Sequence, residues 1–194
     1  VSPSASSPSE RVYAALRPEQ LGDCLRSGQL PQGTPVHAVT PALREHYTEG
    51  DAEELELAAM LDAADSSLRL IAGRTSAAAA GADGDEGAPA RRLVLAADVP
   101  GSQVTVRAVG EDDPAEALSR VELARPLALT AVVSAHVDEA EAAADVAAAA
   151  AALPAADAGD EDAAFAVDGA QGHDLLWYDA SELEALAAEL TRPA

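Results

Sequence analysis

The stretch from Thr40 to Gly73, TPALREHYTEGDAEELELAAMLDAADSSLRLIAG, most narrows what this chain can fold into. Thr40 can cap a helix through its hydroxyl, and Pro41 then sits at the first helical position, where a missing N–H costs nothing. That helix is expected to stop near Gly50. Asp51 and Glu54 form a capping box that opens a second, longer helix. Leu57, Leu61, Ala64, Leu68 and Ile71 recur at helical spacing and predict its buried stripe. Acids crowd its first turn, Arg69 lies in its last, and Gly73 is placed to end it. A stripe of this length must bury against something, and the apolar segments on either side are the candidates.

Those segments read as strands: Arg11–Leu16, Val36–Val39, Arg92–Val99, Val104–Val109, Val121–Ala124, Ala131–Val137 and Leu175–Tyr178. Arg92–Val99 is apolar almost without alternation, as in a strand covered on both faces. Pro18 to Gly28 predicts a short helix. Asp138 and Glu141 suggest a capping box for a helix that Pro154 stops, and Asp179 and Glu182 suggest a third box, opening a helix with Leu183, Leu186, Ala187 and Leu190 on one face. Residues 1–10 are Ser/Pro-rich and read as a disordered tail. Residues 74–90 read as a mobile insertion, and 155–172 as an acidic loop. The resulting expectation is an α/β (or α+β) fold: a single domain over 11–191, with a mixed sheet of about five strands covered by helices, Leu93–Val99 at its middle.

Charge excludes several functions. The chain of 194 residues has a formal net charge of −22 and no lysine. Phosphate backbones and anionic membrane surfaces both need basic residues, so neither nucleic acid nor membrane is an expected partner. Cys24 is the only cysteine, so no intrachain disulfide can form. No apolar run reaches membrane-spanning length, and VSPSASSPSE lacks the basic and apolar regions of a signal peptide. Cytoplasmic location is the default expectation.

Chemistry-bearing residues are sparse. On a strand, His136 and Asp138 point to one face, at a strand-to-helix junction, where they could bind a divalent metal or act as an acid–base pair. Asp157, Asp160 and Asp162 offer the hard oxygen ligands that Ca²⁺ or Mg²⁺ prefer, without EF-hand spacing. His173, Trp177 and Tyr178 lie close together in a chain poor in aromatics. Trp177 is expected to anchor the core, with ligand stacking by Trp177 or Tyr178 as the lesser reading. Arg44, His46 and Tyr47 could contact an anion beside Glu53. No glycine-rich phosphate loop, nucleophile elbow or zinc-type Cys/His spacing is present.

The blocks RVYAAL, AVTPALREHYTEGDAEELELAA, RRLVLAADVP, AHVDEAEA and DLLWYDASEL together resemble a family of uncharacterised actinobacterial proteins, a domain of unknown function. The resemblance spans most of Arg11–Leu190 and departs at His46–Tyr47, where an aromatic pair is expected. It implies one whole-chain domain of cytosolic origin and supplies no catalytic residues. The expected function is a non-catalytic binding or regulatory module with a protein partner or self-association. The alternative is a metal-assisted hydrolase using His136 and Asp138 with carboxylates of the acidic loop. Small side chains from Glu139 to Leu153 would permit close helix–helix approach in a homodimer.

Overall fold

The computed structural model describes residues 9–47, 50–79, 89–110 and 117–191, with side chains described outside 75–79. Seven strands form one open sheet: β1 (Ser9–Leu16), β2 (Val36–Ala38), β3 (Leu93–Pro100), β4 (Val104–Val106), β5 (Arg120–Leu123), β6 (Val132–Asp138) and β7 (Leu175–Asp179). Their order is β4-β5-β2-β1-β3-β6-β7, and every pairing is antiparallel. The sheet therefore has more strands than the expected five or so, and among the described residues it contains no parallel pair. β1 stands at its centre, and β3 lies beside it.

The described residues form six α-helices: α1 (Gln20–Ser27), α2 (Pro41–His46), α3 (Ala52–Ala79), α4 (Ala143–Asp157), α5 (Glu161–Gln171) and α6 (Leu183–Leu190). Side chains alternate across the strands, so β1 and β3 feed two cores. Val12, Ala14, Leu16, Leu93, Leu95 and Ala97 face α1 and α6, where Leu21, Cys24, Leu186 and Leu190 meet them. Tyr13, Val94 and Ala96 face the other way, against α2 and α3. α4 and α5 pack on the C-terminal half of α3 through Leu68, Ile71, Val146, Ala149, Leu153 and Ala170.

α3 begins at its expected box. Asp51 Oδ1 accepts from Glu54 N at 3.0 Å, and Glu54 Oε2 accepts from Asp51 N at 3.0 Å. Its buried stripe matches the expected one at Ala64, Leu68 and Ile71 but not in its first half. Leu57 and Leu61 are 52% and 42% exposed, while Leu55, Ala59, Ala63, Ala64, Leu68 and Ile71 are buried. Alanines let the helix approach the sheet closely, and leucines at those contacts would hold it off. Ser66 and Ser67 lie on the same buried side. Ser67 Oγ donates to Leu16 O at 2.6 Å and accepts from Leu93 N at 3.0 Å, joining the ends of β1 and β3. α3 also runs past Gly73 to Ala79, so the first part of the expected insertion is helical. Residues 80–88, the rest of it, lie outside the described residues, as does most of the expected N-terminal tail. Ser9 and Glu10 already belong to β1.

Pro154 lies inside α4 and does not end it. The expected acidic loop holds α5, whose start is capped by Asp160 accepting from Ala163 N at 3.0 Å. Glu161 and Asp162 follow in the first turn, where their charge complements the helix dipole. The Asp179–Glu182 box forms and opens the short 3-10 turn that leads into α6. No helix among the described residues is long and apolar enough to cross a membrane.

Candidate functional site

α3 packs over β2, β1 and β3, and the cover thins towards β7, where Leu175 still meets the core under α3 but Trp177 stands open. Val94, His136 and Trp177 are partners in consecutive ladders and share a face. Val94 is buried under α3, His136 is half-buried, and Trp177 is 61% exposed. The next row along the strands runs Tyr13, Ala96, Ser134, Asp179. Ser134 Oγ lies 3.3 Å from His136 Nε2. Beyond that row Arg11 Nε donates to Asp98 Oδ1 at 2.6 Å, and Tyr13 donates to Glu56 of α3 at 3.3 Å. The face thus grades from a covered apolar core to an open shelf carrying an imidazole, a hydroxyl and an indole.

His136, Tyr13 and Arg11 hold fixed states at neutral pH. Burial, then the nearby Arg11 charge, lowers the His136 pKa, so the ring is neutral. Burial, then the charge of Glu56, pushes the Tyr13 phenol up to about 12, so it remains a donor. The Asp98 hydrogen bond leads the causes that raise Arg11.

Trp177 is therefore a surface residue on the edge strand, contrary to the expected core anchor. Its neighbour Tyr178 pairs with Ala135 on the opposite face and packs against the core beneath α6. The two aromatics cannot stack on one ligand. His173 lies near the start of α4, its Nε2 2.8 Å from Asp145 Oδ2 and its Nδ1 3.9 Å from Glu139 Oε1. Arg44 is exposed on α2, where His46 and Tyr47 meet edge to face at 5.0 Å.

Asp138 does share a face with His136, but it has a different task. It is fully buried against Arg92, which is 1% exposed. Arg92 Nη2 reaches Asp138 Oδ1 at 2.6 Å, and Arg92 N donates to Oδ2 at 2.5 Å. Arg92 Nη2 also donates to His173 O at 3.0 Å, and Arg91 Nε donates to Asp138 O at 2.5 Å. With both carboxylate oxygens accepting from Arg92, Asp138 neither caps the following helix nor pairs with His136 as a ligand set. Glu139 stands at that cap position and makes no side-chain cap bond. Asp160 and Asp162 belong to the start of α5. Among the described residues no group of three or more His, Cys, Asp or Glu side chains is arranged to hold a metal ion.

One buried histidine escaped the sequence reading. His37 on β2 is 0% exposed, with Nδ1 2.8 Å from Ser119 Oγ and Nε2 2.8 Å from Ser66 Oγ. Ser119 Oγ donates to Asp62 Oδ2 at 2.5 Å. Its proton is thus committed, so its oxygen accepts from Nδ1–H and Nε2 accepts from Ser66. Burial, then Arg120, lowers the His37 pKa to about 3. The carboxylate sits on a serine and not on the imidazole, so the set lacks the order of a nucleophilic triad. The signal in the sequence was a histidine inside an apolar strand, VHAV. Cys24 is likewise inert: burial, then Asp23, pushes its thiol up to about 11.

The "Family of unknown function (DUF6912)" matches residues 10–187. The chain belongs to this family. The match runs from β1 into α6, so the sheet and the helices on both faces are the family's shared unit. No curated protein and no solved structure matches the chain.

Proposed function

We propose that this family member is a non-catalytic binding module that takes an extended, basic segment of a protein partner along β7. The observation that carries this reading is Trp177, the chain's only tryptophan, standing 61% exposed on an edge strand. Among the described residues β7 has a strand neighbour on one side only, β6, which leaves a row of backbone donors and acceptors for an added strand. An uncovered indole beside such an edge is an anchor for a partner's apolar side chain. The half-buried, neutral His136 and Ser134 supply polar contacts on the same face.

Charge selects the partner. Asp174 and Asp179 flank the edge and are exposed, with Glu182 just beyond. A net charge of −22 favours encounter with basic segments. Absence of catalysis fits the buried Asp138 and His37, both of which are saturated by neighbours within the fold.

Peptides selected from a displayed library should be basic, should change Trp177 fluorescence, and should bind Trp177→Ala about 25-fold more weakly, as for an anchor worth about 2 kcal/mol. N-methylation of alternate peptide bonds should weaken them as well, because strand addition needs the peptide's N–H groups. Equal affinity for the wild type and Trp177→Ala, or indifference to N-methylation, would reject the reading.

A further inference from the structure

At the other end of the sheet, β2 and β5 pair over just two rungs, Val36 with Val121 and His37 with Arg120. The same two chain segments meet again at the Gln29–Ala128 bridge, where Leu30 N donates to Leu127 O at 2.9 Å and Leu129 N to Gly28 O at 2.9 Å. Between these two closures the segments 31–35 and 122–126 bow apart. Their sequences, PQGTP and ELARP, explain why. Pro31, Pro35 and Pro126 have no N–H to give a ladder. Gly33 adopts φ 81°, a conformation that turns the segment away from a strand path. The opening is a cavity of about 650 Å³, a size suited to a small organic ligand.

Arg107, Arg120 and Arg125 all line it. Extending the β4–β5 register by one residue sets Arg107 opposite Arg120, and like charges opposed across strands repel. In a chain of net charge −22, seven other described arginines form ion pairs with carboxylates. Among the described residues, Arg107 and Arg120 form none. Arg125 Nε donates to the neutral Gln103 Oε1 at 3.1 Å, which leaves its terminal nitrogens for another acceptor. Among the described residues Glu122 is the one acid in the lining, against three guanidinium groups. Leu30, Val121 and Leu127 supply an apolar floor.

We infer that this cavity binds a small organic polyanion, its phosphate or carboxylate groups held by Arg107, Arg120 and Arg125 and its body resting on the apolar floor. Guanidinium groups bind both oxyanions with paired hydrogen bonds, so the chemistry is shared and the two sources need separate probes. The site is remote in the strand order from β7 and stands independently of the proposed peptide edge.

The test uses the full chain at about 0.15 M salt, where weak surface attraction is screened. Pyrophosphate and citrate serve as probes, each titrated by calorimetry and by thermal melting. At least one should bind saturably with a stoichiometry of one, and which one does so identifies the oxyanion. Arg107→Ala with Arg120→Ala should weaken binding by about tenfold or more. Arg125→Ala, a single exposed change, should weaken it too and serves if the double variant fails to fold. Arg44→Ala removes the same charge elsewhere and should leave affinity unchanged, as should Trp177→Ala. Absence of saturable binding for both probes at 10 mM would overturn the inference. So would an equal loss in Arg44→Ala, or unaltered affinity in Arg125→Ala and the double variant.

Discussion

Asp138→Ala loses about 3–5 kcal/mol of folding stability, because it leaves the Arg92 guanidinium buried without its counter-charge. Arg92 is 1% exposed and would keep His173 O as its acceptor, a neutral group that cannot offset the charge. The backbone N–H of Arg92 loses its acceptor at the same stroke. Denaturant melts read the loss as a lower midpoint at unchanged slope. Domains of this size have about 5–15 kcal/mol in total, so the variant would approach the unfolding threshold. Asp138→Asn is the gentler form and should fall between it and the wild type. Arg92→Met combined with Asp138→Leu should recover much of the loss, since a well-packed apolar pair can replace a buried ion pair. A loss under 1 kcal/mol in Asp138→Ala would show that the carboxylate is not the partner that keeps Arg92 inside the fold.

Acid destabilises the fold through His37. Its pKa falls from 6.5 in the unfolded chain to about 3 in the folded one. The unfolded state therefore binds a proton that the folded state refuses. Stability from this group is complete above about pH 6.5, declines as the pH falls, and levels out only near the folded pKa. Between pH 7 and pH 5 the loss comes to about 2 kcal/mol at 1.36 kcal/mol per unit. His136 is shifted in the same direction and adds to it. His37→Gln isolates the effect. It should be less stable at pH 7, because Ser66 and Ser119 lose the ring they were placed around. Its stability should then change less from pH 7 to pH 5 than that of the wild type. Parallel curves for the two proteins would show that His37 protonates in the folded state as easily as in the unfolded one.

Local signals were readable in the sequence, and long-range ones were not. The Asp51–Glu54 and Asp179–Glu182 boxes form as expected because each is decided within four residues. The strand segments were found for the same reason, by their own apolar content. Asp138 looked like a helix cap of the same kind, but its partner Arg92 lies 46 residues away, just before β3. α5 was hidden by acids and glycine that resemble a loop, although Asp160, Glu161 and Asp162 are what a helix start requires. The first half of the α3 stripe was misplaced, because leucine outweighs alanine in any reading of hydrophobicity, while Ala64, Leu68 and Ile71 are buried as expected. In this fold Ala59, Ala63 and Ala64 make the close contacts, and Leu57 and Leu61 face outward.

The site followed the same division. His136 and Trp177 were each singled out, but only sheet order sets them in one row. The cavity at Arg107, Arg120 and Arg125 joins segments that no local pattern relates.

Acrylamide quenching of fluorescence tests the central claim most directly, because Trp177 is the chain's sole indole. A side chain standing open at the edge of β7 should emit at long wavelength and be quenched nearly as readily as a free indole. Short-wavelength emission with strong protection in the isolated, monomeric chain would place Trp177 inside the fold and remove the binding face.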